Sequence, residues 1–299
     1  MATEEKTHRF GRVALLGRPN VGKSTLLNAL VGTRLSIVTP KPQTTRHRIL
    51  GIVSRADAQV LFIDTPGLHQ DARSALNRQL NRVARQVPHE ADVLVHVTEG
   101  LRWQEEDEAV WKLVAGQHVP CLLAINKVDK LADKGALLPY AASITAERPY
   151  AGVHFLVARR GDGVPALLDD LVARLPEGPA EYGEDELTDR SERFLAAELV
   201  REQLMRQLAA ELPYAIAVEI EEFEDTPGIT RIAALITVER EGQKGIVIGA
   251  GGSHLKKIGT AARIAMEKLF GRRVFLTLRV RVRESWSDDA AALRQFGYE

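Results

Sequence analysis

The sequence contains one spacing of residues that is typical of a phosphate site. Four residues match the pattern G-x-x-x-x-G-K-[ST]: Gly17, Gly22, Lys23 and Ser24. Glycines at these positions let backbone amides curl around phosphate oxygens at a helix N-terminus. The lysine can reach β- and γ-phosphate oxygens, and the serine hydroxyl can ligate Mg²⁺. The alternative, an ordinary turn containing glycine, is disfavoured because a strand-like run precedes the loop and a helical pattern follows it.

Two further motifs specify the nucleotide. In DTPG, residues 64–67, Asp64 can hold Mg²⁺ through water and the Gly67 amide can sense a γ-phosphate. In NKVD, residues 126–129, Asp129 can accept two hydrogen bonds from guanine N1–H and its exocyclic amine, a donor pair that adenine lacks. Either motif alone would suit a turn or a helix cap. Together with the phosphate loop, and in this order, they predict a guanine nucleotide site.

A polar loop, PKPQTTRHR at residues 40–48, lies between the phosphate loop and Asp64. Such a loop can be ordered by a γ-phosphate and Mg²⁺ through a threonine hydroxyl and released after hydrolysis. Thr44 and Thr45 are the candidates, and the sequence does not distinguish them. A basic surface loop is the alternative, but the position of the segment favours a nucleotide-sensing switch.

Short apolar runs alternate with helical patterns in the first part of the chain. The runs RVALLG, AQVLFIDTPG, ADVLVHVTEG, VPCLLAINK and GVHFLVA are separated by patterns such as residues 24–30 and 106–115. This alternation predicts an α/β domain with a mostly parallel sheet and crossover helices. It ends near Leu175. A stretch rich in Pro, Gly and acidic residues follows at 176–189, and we expect it to pack poorly and to act as a linker. The predicted organisation is therefore a domain at 1–175, a linker at 176–190 and a second domain at 191–299.

The second domain shows a different order of elements. Five apolar side chains mark one face of its first helix: Phe194, Ala197, Val200, Leu204 and Leu208. Two strand-like stretches, two helices and a last strand follow. The order helix–strand–strand–helix–helix–strand, with the G-x-x-G turn Gly249-Ala250-Gly251-Gly252 between the helices, predicts an α+β KH fold. A KH loop clamps the backbone of single-stranded RNA.

A G-x-x-G turn alone is weak support for RNA binding, because it is commonly only a turn between helices. Basic side chains near it would supply a positive surface, although a charged helix face is usually only solvated. We expect the RNA site to comprise the four turn residues with Lys256, Lys257 and Arg263. Lys244, Lys268, Arg272 and Arg273 lie close by in the sequence.

Composition sets limits on the partners. The 299 residues carry 40 basic and 40 acidic side chains, so a polyanion must be met by a local patch rather than by net charge. Cys121 is the only cysteine, which excludes an intramolecular disulfide, and the histidines show no zinc-ligand spacing. No apolar run approaches the length of a membrane span. We expect a cytoplasmic monomer, with peripheral contact at the inner face of the cell membrane left open.

These motifs closely resemble the Era family of bacterial GTPases from about Phe10 to Tyr298. The matching stretches include GRPNVGKSTLLN, QTTRHR, DTPGLH, NKVD, LPYAIAVEIEEF, VEREGQKGIVIG and FGYE. The resemblance implies a GTPase domain followed by a KH domain that binds the 3′ end of small-subunit ribosomal RNA and acts in assembly of the pre-ribosomal small subunit. GTP, GDP and Mg²⁺ are the implied ligands, and K⁺ is a further candidate.

The motifs and the resemblance together predict a role for each residue of the site. Nucleotide contacts are expected from Gly17, Asn20, Val21, Gly22, Lys23, Ser24, Thr25, Asp64, Gly67, Asn126, Lys127, Asp129, Val157 and Ala158. Catalysis is expected from Asn20, Lys23, Thr44, Thr45 and Gly67, and Mg²⁺ ligation from Ser24, Thr44, Thr45 and Asp64.

Four positions bear on mechanism. Leu68 stands where many GTPases place a water-orienting glutamine, as it does in Era-like proteins, so we expect slow intrinsic turnover of ~10⁻⁴–10⁻² s⁻¹. Asn20 resembles an asparagine that binds K⁺ in related GTPases. Val157 replaces a serine that is usual before Ala158 in the guanine-contacting turn, which affects how firmly that turn is held. Ala250 replaces a lysine that is common in related proteins, which removes a phosphate contact.

The sequence thus predicts a GTP-hydrolysing protein that binds ribosomal RNA and uses GTP to gate that interaction. One alternative is a GTP-dependent switch whose target is a protein or a membrane surface. An ATP-dependent kinase is disfavoured by Asn126 and Asp129.

Overall fold

The computed structural model describes residues 8–41, 43–67, 74–208 and 212–298, and the chain divides into two compact units. The first unit contains the described chain through Ser36 and most of the chain from Thr45 to Asp189. The second unit contains the described chain from Arg190 onward, and two short segments cluster with it: Ile37–Thr44 and the described part of Ala72–Gln79, which includes the start of the helix at Ala75–Gln86.

The first unit is built on a six-stranded sheet. Its strands are β1 (Arg9–Leu16), β2 (Ile49–Arg55), β3 (Ala58–Asp64), β4 (Val93–Glu99), β5 (Cys121–Asn126) and β6 (Gly152–Phe155), in the spatial order β2-β3-β1-β4-β5-β6. All neighbouring pairs are parallel except β2 with β3. The helices are α1 (Lys23–Val31), α2 (Ala75–Gln86), α3 (Glu105–Ala115), α4 (Leu137–Glu147) and α5 (Val164–Arg174). The prediction of a mostly parallel α/β sheet is confirmed.

Apolar runs form the central strands because parallel strands are covered on both faces. Val13, Ala14 and Leu15 in β1 are fully buried, as are Leu122 and Leu123 in β5. Parallel strands bring their carboxyl ends to one edge of the sheet, where ligands bind in open α/β folds. The phosphate loop, DTPG and NKVD follow β1, β3 and β5 at that edge.

Strand β2 was not among the predicted strands. It forms an antiparallel hairpin with β3, with Ile49 opposite Asp64 and Arg55 opposite Ala58. Gly51 interrupts its apolar pattern because a Cβ there would lie 2.6 Å from Cδ1 of Leu27. Helix α1 therefore packs directly on the backbone of this strand.

The stretch 176–189 packs, so the expectation that it would not is wrong. The Phe10 amide donates to the Pro176 carbonyl at 3.0 Å, and the Ile52 amide donates to the Leu187 carbonyl at 2.9 Å. Buried Gln59 accepts from the amides of Glu181 and Tyr182 at 2.9 and 3.0 Å. Gln59 in β3 thus supplies the hydrogen-bond acceptor for two backbone amides of the stretch.

The second unit has the predicted order of elements. Its elements are α6 (Glu192–Gln207), β7 (Ala217–Thr226), β8 (Ile229–Val238), α7 (Glu241–Ile248), α8 (Ser253–Phe270), β9 (Val274–Val282) and α9 (Ala290–Gln295). The sheet order is β7-β8-β9, antiparallel in the first pair and parallel in the second. The KH-type α+β fold is confirmed, and the short helix α9 is an addition that the pattern did not predict.

The core of the second unit lies between its sheet and its helices. Ile258, Ala262 and Met266 form the buried face of α8 at intervals of four residues, and they belong to one cluster with Ile232 and Val274. From α6 the cluster takes Ala196, Leu199, Val200, Leu204 and Leu208. Ala197 is only partly buried and Phe194 lies outside this cluster, so the core-facing stripe of α6 lies slightly to one side of the predicted face. Within the described ranges, no helix combines the length and apolar character needed to cross a bilayer.

Candidate nucleotide site and candidate RNA interface

The phosphate loop takes a conformation that requires its glycines. A Cβ at Gly17 would lie 2.4 Å from the Val97 carbonyl oxygen, and one at Gly22 would lie 2.4 Å from Asn126 Nδ2. Gly22 has φ +106° and Asn20 has φ +63°, a left-handed value that asparagine tolerates. The loop therefore folds closely around the start of α1, where backbone amides can meet phosphate oxygens.

Lys23 is buried at the centre of this loop. Its Nζ donates to the carbonyls of Gly17 at 2.8 Å and Arg18 at 3.1 Å. Burial lowers the pKa of Lys23 to about 8, and the nearby carboxylate of Asp64 opposes that shift. An ammonium held in this way gains most when an anion such as phosphate arrives.

Three oxygen-bearing side chains meet beside Lys23. Ser24 Oγ and Thr45 Oγ1 lie 2.8 Å apart, and Thr45 Oγ1 lies 3.5 Å from Asp64 Oδ2. Ser36 Oγ also donates to Asp64 Oδ2, at 2.8 Å. Asp64 is fully buried, and this desolvation raises its pKa, while Lys23 opposes the rise.

The second oxygen of Asp64 is buried and has no hydrogen-bond partner among the described residues. Two hydroxyls and a half-satisfied carboxylate are the hard oxygen donors that Mg²⁺ takes, with phosphates and water completing its shell. No cluster of three or more His, Cys, Asp or Glu with metal-binding geometry occurs in the described part of the chain. The residues present fit a magnesium ion that depends on nucleotide phosphates rather than an all-protein metal site.

The two candidate switch threonines have different surroundings. Thr45 lies with Ser24 and Asp64, whereas the Thr44 hydroxyl donates to the Lys41 carbonyl at 2.7 Å and lies 2.7 Å from Thr39 Oγ1. Thr44 also belongs to the second unit. The structure thus brings Thr45 to the oxygen cluster and does not bring Thr44 there.

Asn126 links three segments of the first unit. Its Nδ2 donates to the Val21 carbonyl at 2.9 Å, and its Oδ1 accepts from the amides of Lys127 at 2.8 Å and Ala158 at 3.0 Å. Asp129 lies in the short turn after β5 and is exposed. The Asp129 carboxylate is therefore accessible to solvent at the strand-end edge of the sheet, where the guanine base is expected to lie.

Backbone hydrogen bonds hold the turn that follows β6, in which Val157 lies. Its amide donates to the Asp162 carbonyl at 3.0 Å, and its own carbonyl accepts from the amides of Arg160 and Gly161 at 2.9 and 3.0 Å. Val157 and Ala158 are both buried. The turn therefore has a defined backbone conformation with valine at position 157.

One contributor to the site, Glu99, was not predicted. Lys127 Nζ donates to the Asn20 carbonyl at 2.6 Å and to Glu99 Oε2 at 2.8 Å. The only sequence signal was that β4 ends in an acidic residue. Gly67 lies against the phosphate loop, since a Cβ there would be 2.9 Å from the Pro19 nitrogen. Val21 and Thr25 lie on either side of Gly22 and Lys23, and their predicted contacts to nucleotide stay predictions; Leu68 falls outside the described residues. Burial raises the pKa of Cys121 to about 12, which suits a structural thiol.

The G-x-x-G turn joins α7 to α8. Gly249, Gly251 and Gly252 have φ values of +72°, +57° and +79°. A Cβ at Gly249 would lie 2.8 Å from the ring of His254, while Gly251 and Gly252 face open space. The last two glycines therefore offer an open backbone that a phosphate chain can approach.

The basic residues near this turn differ in availability. Lys256 and Lys257 are exposed on the first turns of α8. Arg263 pairs with Glu267 at 2.6 Å, and Arg272 pairs with Glu192 and Asp225. The two lysines are better placed than the arginines to meet an incoming anion, because the arginines would have to give up existing partners.

Comparisons with known proteins agree with both halves of this description. Residues 12–127 match the family described as "50S ribosome-binding GTPase", and residues 211–287 match the KH domain family. A protein named GTPase Era from Xanthomonas oryzae pv. oryzae (strain MAFF 311018) is 55% identical over the full length of both chains. GTPase Era from Stenotrophomonas maltophilia (strain R551-3) is 54% identical over 99% of this chain and all of its own.

A solved structure, that of Era in complex with MgGDPNP and nucleotides 1506–1542 of 16S ribosomal RNA, matches with a TM-score of 0.94. Its sequence identity is 37%, and the match covers 97% of this chain and 99% of that one. Relatives of this similarity over the whole length, with both domains in the same order, establish the family. The chain belongs to the Era family of GTPases.

Proposed function

We propose that the chain binds and hydrolyses GTP with Mg²⁺ in its first unit, binds the 3′ region of small-subunit ribosomal RNA through its second unit, and assists small-subunit assembly. The observation that supports this most directly is that Thr45 Oγ1 lies 2.8 Å from Ser24 Oγ and 3.5 Å from Asp64 Oδ2, beside Lys23. A phosphate and a divalent ion would complete this arrangement.

The chemistry of hydrolysis here is mainly positioning and charge stabilisation. Lys23 would supply a positive charge to the β- and γ-phosphates, and Gly67, which lies against Pro19 of the phosphate loop, would donate its amide to the γ-phosphate. Ser24 and Thr45 would hold Mg²⁺ directly and Asp64 would hold it through water. When bound, this ion neutralises charge that develops on the phosphates. Asn20 is proposed to assist through K⁺.

Selectivity for guanine is assigned to Asp129 together with the turn at Ala158. Asp129 would accept from the two donors on the guanine edge, and Ala158, whose amide here donates to Asn126 Oδ1, lies in the turn expected beside the guanine O6. Asn126 connects both to the phosphate loop through the Val21 carbonyl, so base recognition and phosphate binding share one scaffold.

The match over the full length supports the RNA partner. The GTPase family description names the large ribosomal subunit but covers only residues 12–127, whereas the complex with 16S RNA matches both units. The open glycines at 251 and 252 and the exposed Lys256 and Lys257 supply backbone approach and positive charge for a single strand. For this reason we favour the small subunit.

A GTP-dependent switch that acts on a protein or membrane surface is the less favoured function, because nothing in the described structure points to either surface. A cytoplasmic location, with peripheral contact at the inner face of the membrane, remains part of the proposal. Anionic vesicles without RNA would reveal such contact by cosedimentation with the full chain.

The RNA proposal is tested with an oligonucleotide of the sequence 1506–1542 of 16S RNA. Its affinity for the full chain is measured by fluorescence anisotropy with Mg²⁺ and either a non-hydrolysable GTP analogue or GDP. A scrambled oligonucleotide of the same composition is the control. We expect tighter binding of the native sequence and a difference between the two nucleotide states. Equal affinity for the native and scrambled RNA would contradict the proposed partner.

A further inference from the structure

Helix α6 buries charged side chains outside the apolar core of the second unit. Glu198, Arg201 and Glu202 are 4%, 1% and 0% exposed, while the apolar cluster of the second unit takes other residues of the same helix, among them Leu199 and Val200. Burying three ionisable groups on one helix is costly unless each finds hydrogen-bonding partners. The partners identify what this face of the helix contacts.

The segment Ile37–Thr44 supplies those partners. It clusters with the second unit although the chain on both sides of it belongs to the first. The Val38 amide donates to Glu202 Oε1 at 3.2 Å, and the Val38 carbonyl accepts from Arg206 at 2.8 Å. Lys41 Nζ donates to the Leu208 carbonyl at the end of the helix. Two of these contacts hold backbone groups of Val38, and the third ties the Lys41 side chain to the C-terminal end of α6. Together they fix the path of the segment.

Arg201 makes the contact nearest to the nucleotide-sensing threonine. Nη2 of Arg201 donates to the Thr44 carbonyl at 2.6 Å. Nε and Nη2 also donate to the two carboxylate oxygens of Glu198, each at 2.7 Å. A two-point Arg–carboxylate pair fixes the plane of the guanidinium. The second N–H of Nη2 is therefore held in the direction of the Thr44 carbonyl.

Thr44 is joined by one peptide bond to Thr45, whose hydroxyl lies 2.8 Å from Ser24 Oγ in the first unit. Fixing the Thr44 carbonyl fixes that peptide plane and restricts the backbone of Thr45. We propose that Arg201, oriented by Glu198, is a positioning residue that presents Thr45 to Mg²⁺ in the GTP state. This inference rests on the proposed function and names a residue of the C-terminal unit that acts on the GTPase site.

The proposed effect is on ordering rather than on direct contact with nucleotide. If the segment with Thr44 and Thr45 becomes ordered only when Mg·GTP binds, the free-energy cost of that ordering lowers the net affinity. With Arg201 in place, part of the order already exists, so Thr45 ligates Mg²⁺ at a lower ion concentration. By linkage, any change in the second unit that moves α6 also changes the Mg²⁺ affinity of the GTP state.

The test compares Arg201→Gln with Arg193→Gln in the full chain. Arg193 lies on the same helix and donates to the Glu221 carbonyl at 2.9 Å, so its loss is a matched change that does not involve the segment 37–44. The readouts are the Mg²⁺ concentration at half-maximal single-turnover GTP hydrolysis, the affinity for GDP, and thermal unfolding.

We expect Arg201→Gln to raise the half-maximal Mg²⁺ concentration about tenfold, the scale of one charge-assisted hydrogen bond. GDP affinity should be unchanged, because a switch threonine is released once the γ-phosphate is gone. Arg193→Gln should leave both values at the parent level. A parent-like Mg²⁺ requirement in folded Arg201→Gln would overturn the inference.

A paired change keeps the test decisive if Arg201→Gln fails to fold. Replacing Glu198 by Leu and Arg201 by Met together exchanges the buried pair for apolar side chains, which proteins commonly tolerate. This double variant should show the same raised Mg²⁺ requirement, and a parent-like requirement would overturn the inference. If the parent itself fails to hydrolyse GTP at saturating Mg²⁺, the proposed function fails, which is a distinguishable result.

Discussion

Asn126 and Val21 are joined by a 2.9 Å hydrogen bond from the side-chain amide of the first to the backbone carbonyl of the second. This bond connects the turn after β5 to the phosphate loop after β1, which are separated by more than a hundred residues in sequence. Since Asn126 also accepts from the Ala158 amide, one side chain aligns the three loops that would enclose a nucleotide.

Replacing Asp129 by Asn should change base preference. The amide loses one acceptor for guanine but can donate to the carbonyl that replaces the exocyclic amine in xanthine. We expect GTP affinity to fall about 10- to 100-fold, the scale of hydrogen bonds to a charged group, and affinity for the xanthine nucleotide to rise. Competition binding with both nucleotides measures this, and parallel changes in the two affinities would refute the base-reading role.

Thr45→Ala should impair Mg²⁺-dependent hydrolysis more strongly than Thr44→Ala. Thr45 lies 2.8 Å from Ser24 Oγ, whereas the Thr44 hydroxyl is bonded within its own loop. The measurement is single-turnover hydrolysis across a Mg²⁺ series for both variants. A larger defect in Thr44→Ala would mean that the switch rearranges so that the other threonine reaches the metal.

GTP affinity should fall as pH rises above 8. The pKa of Lys23 is lowered to about 8 by burial, so the nucleotide-free protein progressively loses the ammonium that phosphate binding requires. Binding then takes up a proton, and affinity should drop about tenfold by pH 9. Calorimetry in buffers of different ionisation enthalpy would detect the proton. Affinity that stays level from pH 7 to 9 would contradict the shift.

The same group has a consequence for stability in the absence of nucleotide. The folded pKa of Lys23 lies below its ordinary value of 10.5, so the unfolded chain binds more protons between pH 8 and 10.5. The destabilisation by the buried ammonium is complete below pH 8 and disappears as pH rises through that window. Lys23→Met lacks it, so its stability advantage over the parent should shrink from pH 8 to 10.5 in urea unfolding.

Hydrolysis should be faster in potassium than in sodium at equal ionic strength. The expectation rests on Asn20, which holds a left-handed backbone conformation in the phosphate loop, and on its resemblance to a K⁺-binding asparagine. Single-turnover rates in the two chlorides provide the measurement. Equal rates would leave Asn20 as a turn residue and direct attention to a protein activator.

Aspartates at Ala250 and Gly251 should abolish RNA binding and leave GTP affinity nearly unchanged. A side chain at 251 meets open space, and aspartate tolerates its φ of +57°, so the loop should still fold. Ala250→Lys should tighten binding and steepen the salt dependence by about 0.7, one added contact to a single strand. RNA affinity across a salt series, with thermal unfolding as the control, decides the matter. If the folded double variant binds RNA like the parent, GAGG is only a turn.

Local sequence determined the parts of this protein that depend on short-range chemistry. The phosphate loop, DTPG and NKVD could be predicted with their order and their strand-end positions, because each motif has a mechanical requirement that few other residues meet. The KH order of helices and strands followed from periodicity in the same way. The edge strand β2 was not predicted, because Gly51 interrupts its apolar run. The glycine makes room for Leu27, and only the packing of the helix on the strand creates that requirement.

Only the tertiary structure decided between chemically equal residues. Thr44 and Thr45 are identical in type and adjacent in the chain, so no local rule could choose between them, yet Ser24 meets one and Arg201 meets the other. Likewise, the i, i+3 spacing of Glu198 and Arg201 is typical of a solvated pair on a helix, but both side chains are buried and Arg201 also donates to the Thr44 carbonyl. Such choices depend on contacts between residues that are distant in sequence, and folding alone supplies those contacts.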